Sequence, residues 1–116
     1  MSERITTLKA KYKELFGSEA TALVKGPGRV DLMGIHTDYN GGFVLPVAVN
    51  MDVIAAGRLR DDRLVQVYSA NFDKLAQFSL DAIEYDVVEK WSNYVRGVVK
   101  FVQEFGVKLR GADIAL

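Results

Sequence analysis

The chain has 116 residues, 49% of them apolar, with 15 Lys+Arg set against 15 Asp+Glu and no cysteine. One domain of ordinary size with a real core fits these figures, and the even charge balance argues against a basic nucleic-acid surface or an acidic disordered tail. A disulfide framework, a thiolate zinc site and a cysteine nucleophile are excluded together, and every apolar run falls well short of the ~18 residues of a membrane span.

The opening MSERITTLKAKYKELFG lacks the apolar stretch of a signal peptide, so a soluble, reducing, cytoplasmic setting is expected. Ile5, Leu8, Tyr12, Leu15 and Phe16 recur at helical spacing, with Lys9, Lys11, Lys13 and Glu14 on the other faces. Ser2 is placed to cap this helix and Gly17 to end it. It reads as an amphipathic surface helix that packs on its own domain.

From Thr21 to Ser79 the pattern turns to β. Ala22 to Lys25 opens a short strand, and Phe43 to Arg60 is rich in Val, Ile and Leu. Arg60-Asp61-Asp62-Arg63 predicts a polar turn into Leu64–Tyr68, hence a hairpin. Leu75, Gln77 and Ser79 alternate with Ala76, Phe78 and Leu80, which predicts a further short strand. Trp91, Tyr94, Val95, Val98, Val99, Val102 and Phe105 form a wide apolar stripe of helical period, stopped by Gly106. Gly97 inside that helix costs about 1 kcal/mol relative to Ala, so close packing is expected to require it. The chain ends in the extended, apolar GVKLRGADIAL with no cap or polar tail behind it, which suggests a larger fold cut short. Helix, strands, helix, strand predicts an α+β domain, with a mixed or antiparallel sheet covered by helices.

Chemistry concentrates between the first two strand segments. Five of the ten glycines fall between residues 26 and 42, with Pro27 and Pro46 and the single histidine in or beside the same stretch. Such a stretch is ordinarily a loop. Gly26-Pro27-Gly28 allows a close backbone approach before Arg29, His36, Asp38 and Tyr39 supply hydrogen-bonding groups, and Asn40-Gly41-Gly42 forces a reversal. Neither G-x-x-x-x-G-K-[ST] nor G-x-G-x-x-G is present, so a P-loop and a dinucleotide fingerprint are set aside. His36 and Asp38 without a third ligand make a poor metal site, and none is expected. The set suits a polyhydroxylated ligand: Asp38 accepts from hydroxyls, His36 donates or accepts, and the Arg29 fork meets phosphate or developing negative charge.

Gly28-Arg29-Val30-Asp31-Leu32-Met33-Gly34-Ile35-His36-Thr37-Asp38-Tyr39-Asn40-Gly41-Gly42 closely resembles the galactokinase signature G-R-V-N-L-I-G-E-H-T-D-Y-N-x-G, the first motif of the GHMP small-molecule kinases. Phe43-Val44-Leu45-Pro46, Tyr68-Ser69-Ala70-Asn71-Phe72 and Trp91-Ser92-Asn93-Tyr94-Val95 extend the likeness in order over nearly the whole chain. The resemblance implies the ribosomal protein S5 domain 2-like fold and transfer of the γ-phosphoryl of ATP to the anomeric hydroxyl of a galactose-like sugar. Arg29 would then stabilise the transition state, and Ile35, His36, Thr37 and Asp38 would line the sugar pocket. Ser69, Trp91 and Tyr94 would meet the nucleotide, although core packing explains the last two equally well.

Two positions depart from the pattern. Asp31 replaces Asn, and Ile35 replaces the Glu that normally accepts a hydrogen bond from the sugar's exocyclic hydroxyl. Isoleucine cannot accept it, so a sugar with a different C6 group and a galactokinase with compensating neighbours are equally open. The Gly/Ser-rich triphosphate loop, a further Asp and the Mg²⁺-holding Ser and Glu of the family are absent from residues 1–116. The expectation is therefore an N-terminal portion, inactive alone, that associates with itself to cover an unpaired sheet edge. A non-catalytic sugar or nucleotide sensor is the alternative, and a generic α+β interaction domain is a third reading. Small-molecule sugar and ATP are the expected partners, with no nucleic acid and no membrane.

Overall fold

The computed structural model describes residues 3–116, so the expected Ser2 cap lies outside the described residues. In chain order the elements are α1 (Glu3–Phe16), β1 (Ala22–Met33), β2 (Leu45–Leu59), β3 (Leu64–Ser69), β4 (Lys74–Ser79), α2 (Asn93–Glu104) and β5 (Ala112–Ala115). The five strands form one mixed sheet in the order β1-β2-β5-β3-β4, confirming the α+β class. Two compact units share the chain: Val24–Ile54, and Met1–Leu23 with Ala55–Leu116.

In the larger unit the strand alternation builds the core. Val65 pairs with Phe78 and Val67 with Ala76 across β3–β4, so these side chains share one face. Val65, Val67, Phe78 and Leu80 are buried there under Trp91, Val95 and Val99 of the second helical segment, with Ile114 and Leu116 beside them. On the other face Leu8 and Tyr12 of α1 are buried, and the Tyr12 hydroxyl donates to the Asp113 carbonyl of β5 at 3.3 Å. Gly17 ends α1 as its spacing predicts, at φ +66 with its N–H on the Lys13 carbonyl.

The expected β2–β3 hairpin does not form. β5 lies between these strands, antiparallel to β2 (Ala56 opposite Ala115) and parallel to β3 (Val67 opposite Ile114). Bridging two strand spacings, about 10 Å, is within reach of four extended residues. Gly111 threads through this connection, its N–H on the Asp62 carbonyl and its carbonyl accepting from the Arg60 N–H, each at 2.8 Å. A Cβ there would come within 2.7 Å of the Asp62 carbonyl oxygen and closer still to that of Leu64. Arg60 secures the passage, gripping Asp62 at 2.8 and 2.7 Å and Asp113 of β5 at 2.8 Å.

Other expectations are corrected too. Residues 26–28 are no loop but the middle of the 12-residue strand β1, and Gly28 gives close approach to β2, where a Cβ would stand 3.1 Å from Val49. Gly97 has nothing within 4 Å of its Cβ position, so packing does not require it. The apolar stripe of α2 divides: Val95 and Val99 join the core, whereas Tyr94, Val98, Phe101 and Phe105 are exposed. The last strand is interior to the sheet, whose edges are β1 and β4. Among the described residues no helix is long and apolar enough to cross a membrane.

Candidate functional site

The smaller unit is a ribbon of β1 and β2 whose connection carries the polar cluster. Gly34 opens it at φ +105, where its carbonyl accepts from the N–H groups of Thr37 at 3.1 Å and Asp38 at 2.9 Å. Only glycine fits: a Cβ would stand 2.8 Å from the Phe43 carbonyl oxygen and the Val44 Cα. Residues Asp38–Asn40 form one 3-10 turn, which Gly41 closes in the left-handed region at φ +71. Gly42 then returns its N–H to the Thr37 carbonyl at 2.8 Å.

Side chains lock this turn from within. The Thr37 hydroxyl donates to the Phe43 carbonyl and the Asn40 amide to the His36 carbonyl, each at 2.8 Å. His36 Nδ1 and the Tyr39 hydroxyl are 2.9 Å apart, leaving Nε2 as the imidazole's outward group. The Arg29 guanidinium reaches the Asp38 carboxylate at 3.7 Å and that of Asp31 at 3.4 Å. At those separations the contacts are Coulombic rather than good hydrogen bonds, so both charged groups keep bonding capacity for a ligand. The side chains of Arg29 and Asp38 are 65% and 58% exposed, which leaves them open to one.

Arg29, His36 and Asp38 are thus brought to one turn of one unit. Thr37 is there too, but its hydroxyl proton is committed to the backbone, and Ile35 stands 68% exposed with only an apolar side chain. Two contacts escaped the sequence reading. Asp31 was visible only as a departure from a pattern, yet its place two residues from Arg29 on one strand puts both on the same face. Tyr39 fixes His36, a pairing that spacing by three residues within a turn could have suggested.

The larger unit holds the other candidates. Trp91 and Tyr94 line a cleft of about 420 Å³ together with Tyr85, Lys90 and Asn93. Trp91 is held from two sides: its indole N–H donates to Glu89 at 2.8 Å and its ring stacks on Phe72 at 5.9 Å between centroids. Bonds from Lys74 and from Trp91 hold the Glu89 carboxyl below the usual range. Tyr94 is 84% exposed, so core packing does not account for it, whereas Trp91 packs partly against the core. Ser69 is buried at the end of β3, opposite Lys74, and does not line this cleft. Among the described residues no three His, Asp or Glu side chains gather as a metal cage.

Comparison with known proteins bears on the turn directly. The family model of the galactokinase galactose-binding signature matches residues 10–59, which contain Arg29 through Asp38. The galactokinase of Clostridium perfringens is 43% identical over 115 residues, and that of Chloroflexus aggregans 44% identical over 112. This chain is a relative of the galactokinases.

The alignments cover 97% of this chain but only 30% and 29% of those two galactokinases, so the chain spans about a third of its relatives' length or slightly less. Lactococcus lactis galactokinase, solved in complex with galactose, superposes on 97% of the chain with a TM-score of 0.80 at 36% identity, again over 30% of its own length. Mevalonate kinase of Methanococcus jannaschii superposes with a TM-score of 0.56 at 13% identity, a likeness of fold alone. These GHMP-type neighbours agree with the architecture implied by the signature.

Proposed function

We propose that this chain is the sugar-recognising part of an ATP-dependent sugar-1-kinase. The observation that carries the reading is the meeting of Arg29 with Asp38 at one turn, inside the stretch matched by a galactose-binding signature. The Asp38 carboxylate and the outer His36 nitrogen accept from and donate to ring hydroxyls. The anomeric oxygen forms a bond to the γ-phosphorus of ATP, the bond to the bridging oxygen breaks, ADP leaves and the hydroxyl proton is released. Arg29 faces the charge that builds up during this transfer, an electrostatic role suited to phosphoryl chemistry.

The nucleotide reading rests on the aromatic cleft of Trp91 and Tyr94, whose size and flat walls suit a base. Ser69, a nucleotide contact by resemblance, is buried away from this cleft, so the reading rests on Trp91 and Tyr94. Mg²⁺ would come with ATP and shield its phosphates; by the family resemblance residues 1–116 hold none of its protein ligands, so this chain alone binds sugar weakly and does not turn over. A cytoplasmic setting suits substrates of this kind.

Saturation-transfer NMR with galactose and with ATP tests the reading. Transfer to both ligands is expected, and transfer to neither leaves a generic interaction domain. The exposed Ile35 supports a narrower form of the proposal, because its methyl groups offer no acceptor to an exocyclic hydroxyl. A pentose of galactose-like stereochemistry, a 6-deoxy sugar or a uronic acid then competes with galactose. A strong preference for galactose in the same experiment would overturn that part.

A further inference from the structure

We infer that Tyr85 and Lys90 are specificity-determining residues of the base site, with Lys90 reading an acceptor on the ring of a purine; this rests on the nucleotide reading of the Trp91–Tyr94 cleft. Five side chains line the cleft, and two of them are hydrogen-bonded into the surrounding fold. The Asn93 amide oxygen accepts from the Asp86 N–H at 2.8 Å, while its NH₂ donates to the Asp86 carbonyl at 2.9 Å. The Trp91 N–H is taken by Glu89. Both residues direct their principal hydrogen bonds into the fold, with one N–H of the Asn93 amide remaining, so both serve chiefly as framework.

The other three lining residues differ. Among the described residues, the hydroxyls of Tyr85 and Tyr94 and the ammonium of Lys90 have no hydrogen-bond or ion-pair partner. Tyr85 is 69% exposed and stands outside the core, so nothing in the fold requires an aromatic ring there. Three aromatic rings and one cation in a single open cleft suit a flat, electron-rich heterocycle. An ammonium has donors only, so it selects ring nitrogens or a carbonyl oxygen on that heterocycle. Tyr85 adds a third aromatic ring to the two of Trp91 and Tyr94.

Trp91 is the only tryptophan of the chain, so its fluorescence reports directly on this cleft. ATP and adenosine are titrated into the full chain and into Tyr85→Ala, Tyr85→Phe and Lys90→Met, with circular dichroism to verify α2. Saturable quenching is expected in the unsubstituted chain. Loss of a stacking wall should raise Kd about 10-fold in Tyr85→Ala and leave Tyr85→Phe near the parent. Lys90→Met should weaken ATP and adenosine alike, by about 5-fold for one charge-assisted bond at an exposed site. Quenching with unchanged affinity in Tyr85→Ala and Lys90→Met overturns the inference and leaves the nucleotide reading standing. Weakening of ATP alone by Lys90→Met moves that side chain to the phosphates and overturns its assignment to the base. Absence of both quenching and saturation transfer to the base protons in the unsubstituted chain overturns the nucleotide reading itself.

Discussion

The Arg29 guanidinium lies 3.7 Å from the Asp38 carboxylate, nine residues further along the chain and across the Gly34 turn. Both side chains are more than half exposed, and an ion pair so placed contributes at most about 1 kcal/mol to stability. On the proposed function its significance is chemical. Asp38→Asn should leave the urea midpoint almost unmoved while removing the charged acceptor proposed for sugar hydroxyls. Saturation transfer to galactose should fall by about 10-fold, the loss expected for one charge-assisted bond. Unchanged transfer would detach Asp38 from the sugar.

Gly34 makes the opposite prediction. Its φ of +105 and the 2.8 Å approach of the Phe43 oxygen and Val44 Cα leave no room for a methyl group. Gly34→Ala should cost about 2–3 kcal/mol through backbone strain and displacement of the turn. Urea unfolding and loss of amide protection at Thr37 and Asp38 measure it.

Arg96 holds the segment before α2 in place. It is buried and donates to the Ser92 hydroxyl, the Glu84 and Gln77 carbonyls and the Asp86 carboxylate, while lying over the Phe78 ring at 4.7 Å. Arg96→Met keeps much of the volume and removes every donor, at a cost of about 2–4 kcal/mol. The same substitution should disturb the Trp91–Tyr94 cleft, because Asp86 is what Asn93 binds. Chemical denaturation and Trp91 fluorescence report the two effects separately.

Stability should also fall in acid. Bonds from Arg60 hold the Asp62 carboxyl down to about 2, and the N–H groups of Glu89 and Val88 lower that of Asp86. A carboxyl depressed in the folded state stabilises it fully above the unfolded value near pH 4 and loses that contribution as pH falls through the folded value. The urea midpoint should hold from pH 6 to about pH 4 and decline towards pH 2. Asp62→Asn should flatten part of that decline, and an unaltered slope would remove Asp62 as a source.

Local features of the chain were readable in advance where a residue's own chemistry is decisive. Gly17 closes α1, Gly106 stands at φ +87 just after α2, and β4 falls within one residue of its alternating pattern. The turn residues were also readable, since Arg29, His36 and Asp38 have few structural reasons to crowd a glycine-rich segment. Their partners were less so. Asp31 reaches Arg29 because β1 continues through Gly26-Pro27-Gly28, a stretch whose composition points to a loop. Strand pairing with β2 overrode that local preference.

The sequence by itself determined the helices, the chemistry of the 34–42 turn and the alternation that buries Val65, Val67 and Phe78, because each depends on residues close together in the chain. Tertiary structure alone decided that β5 enters between β2 and β3 and that α2 leaves Tyr94 exposed while packing Val95 against the sheet. These arrangements depend on which distant strand satisfies which backbone groups. Apolar patterning records that a face is buried, but not the partner that buries it.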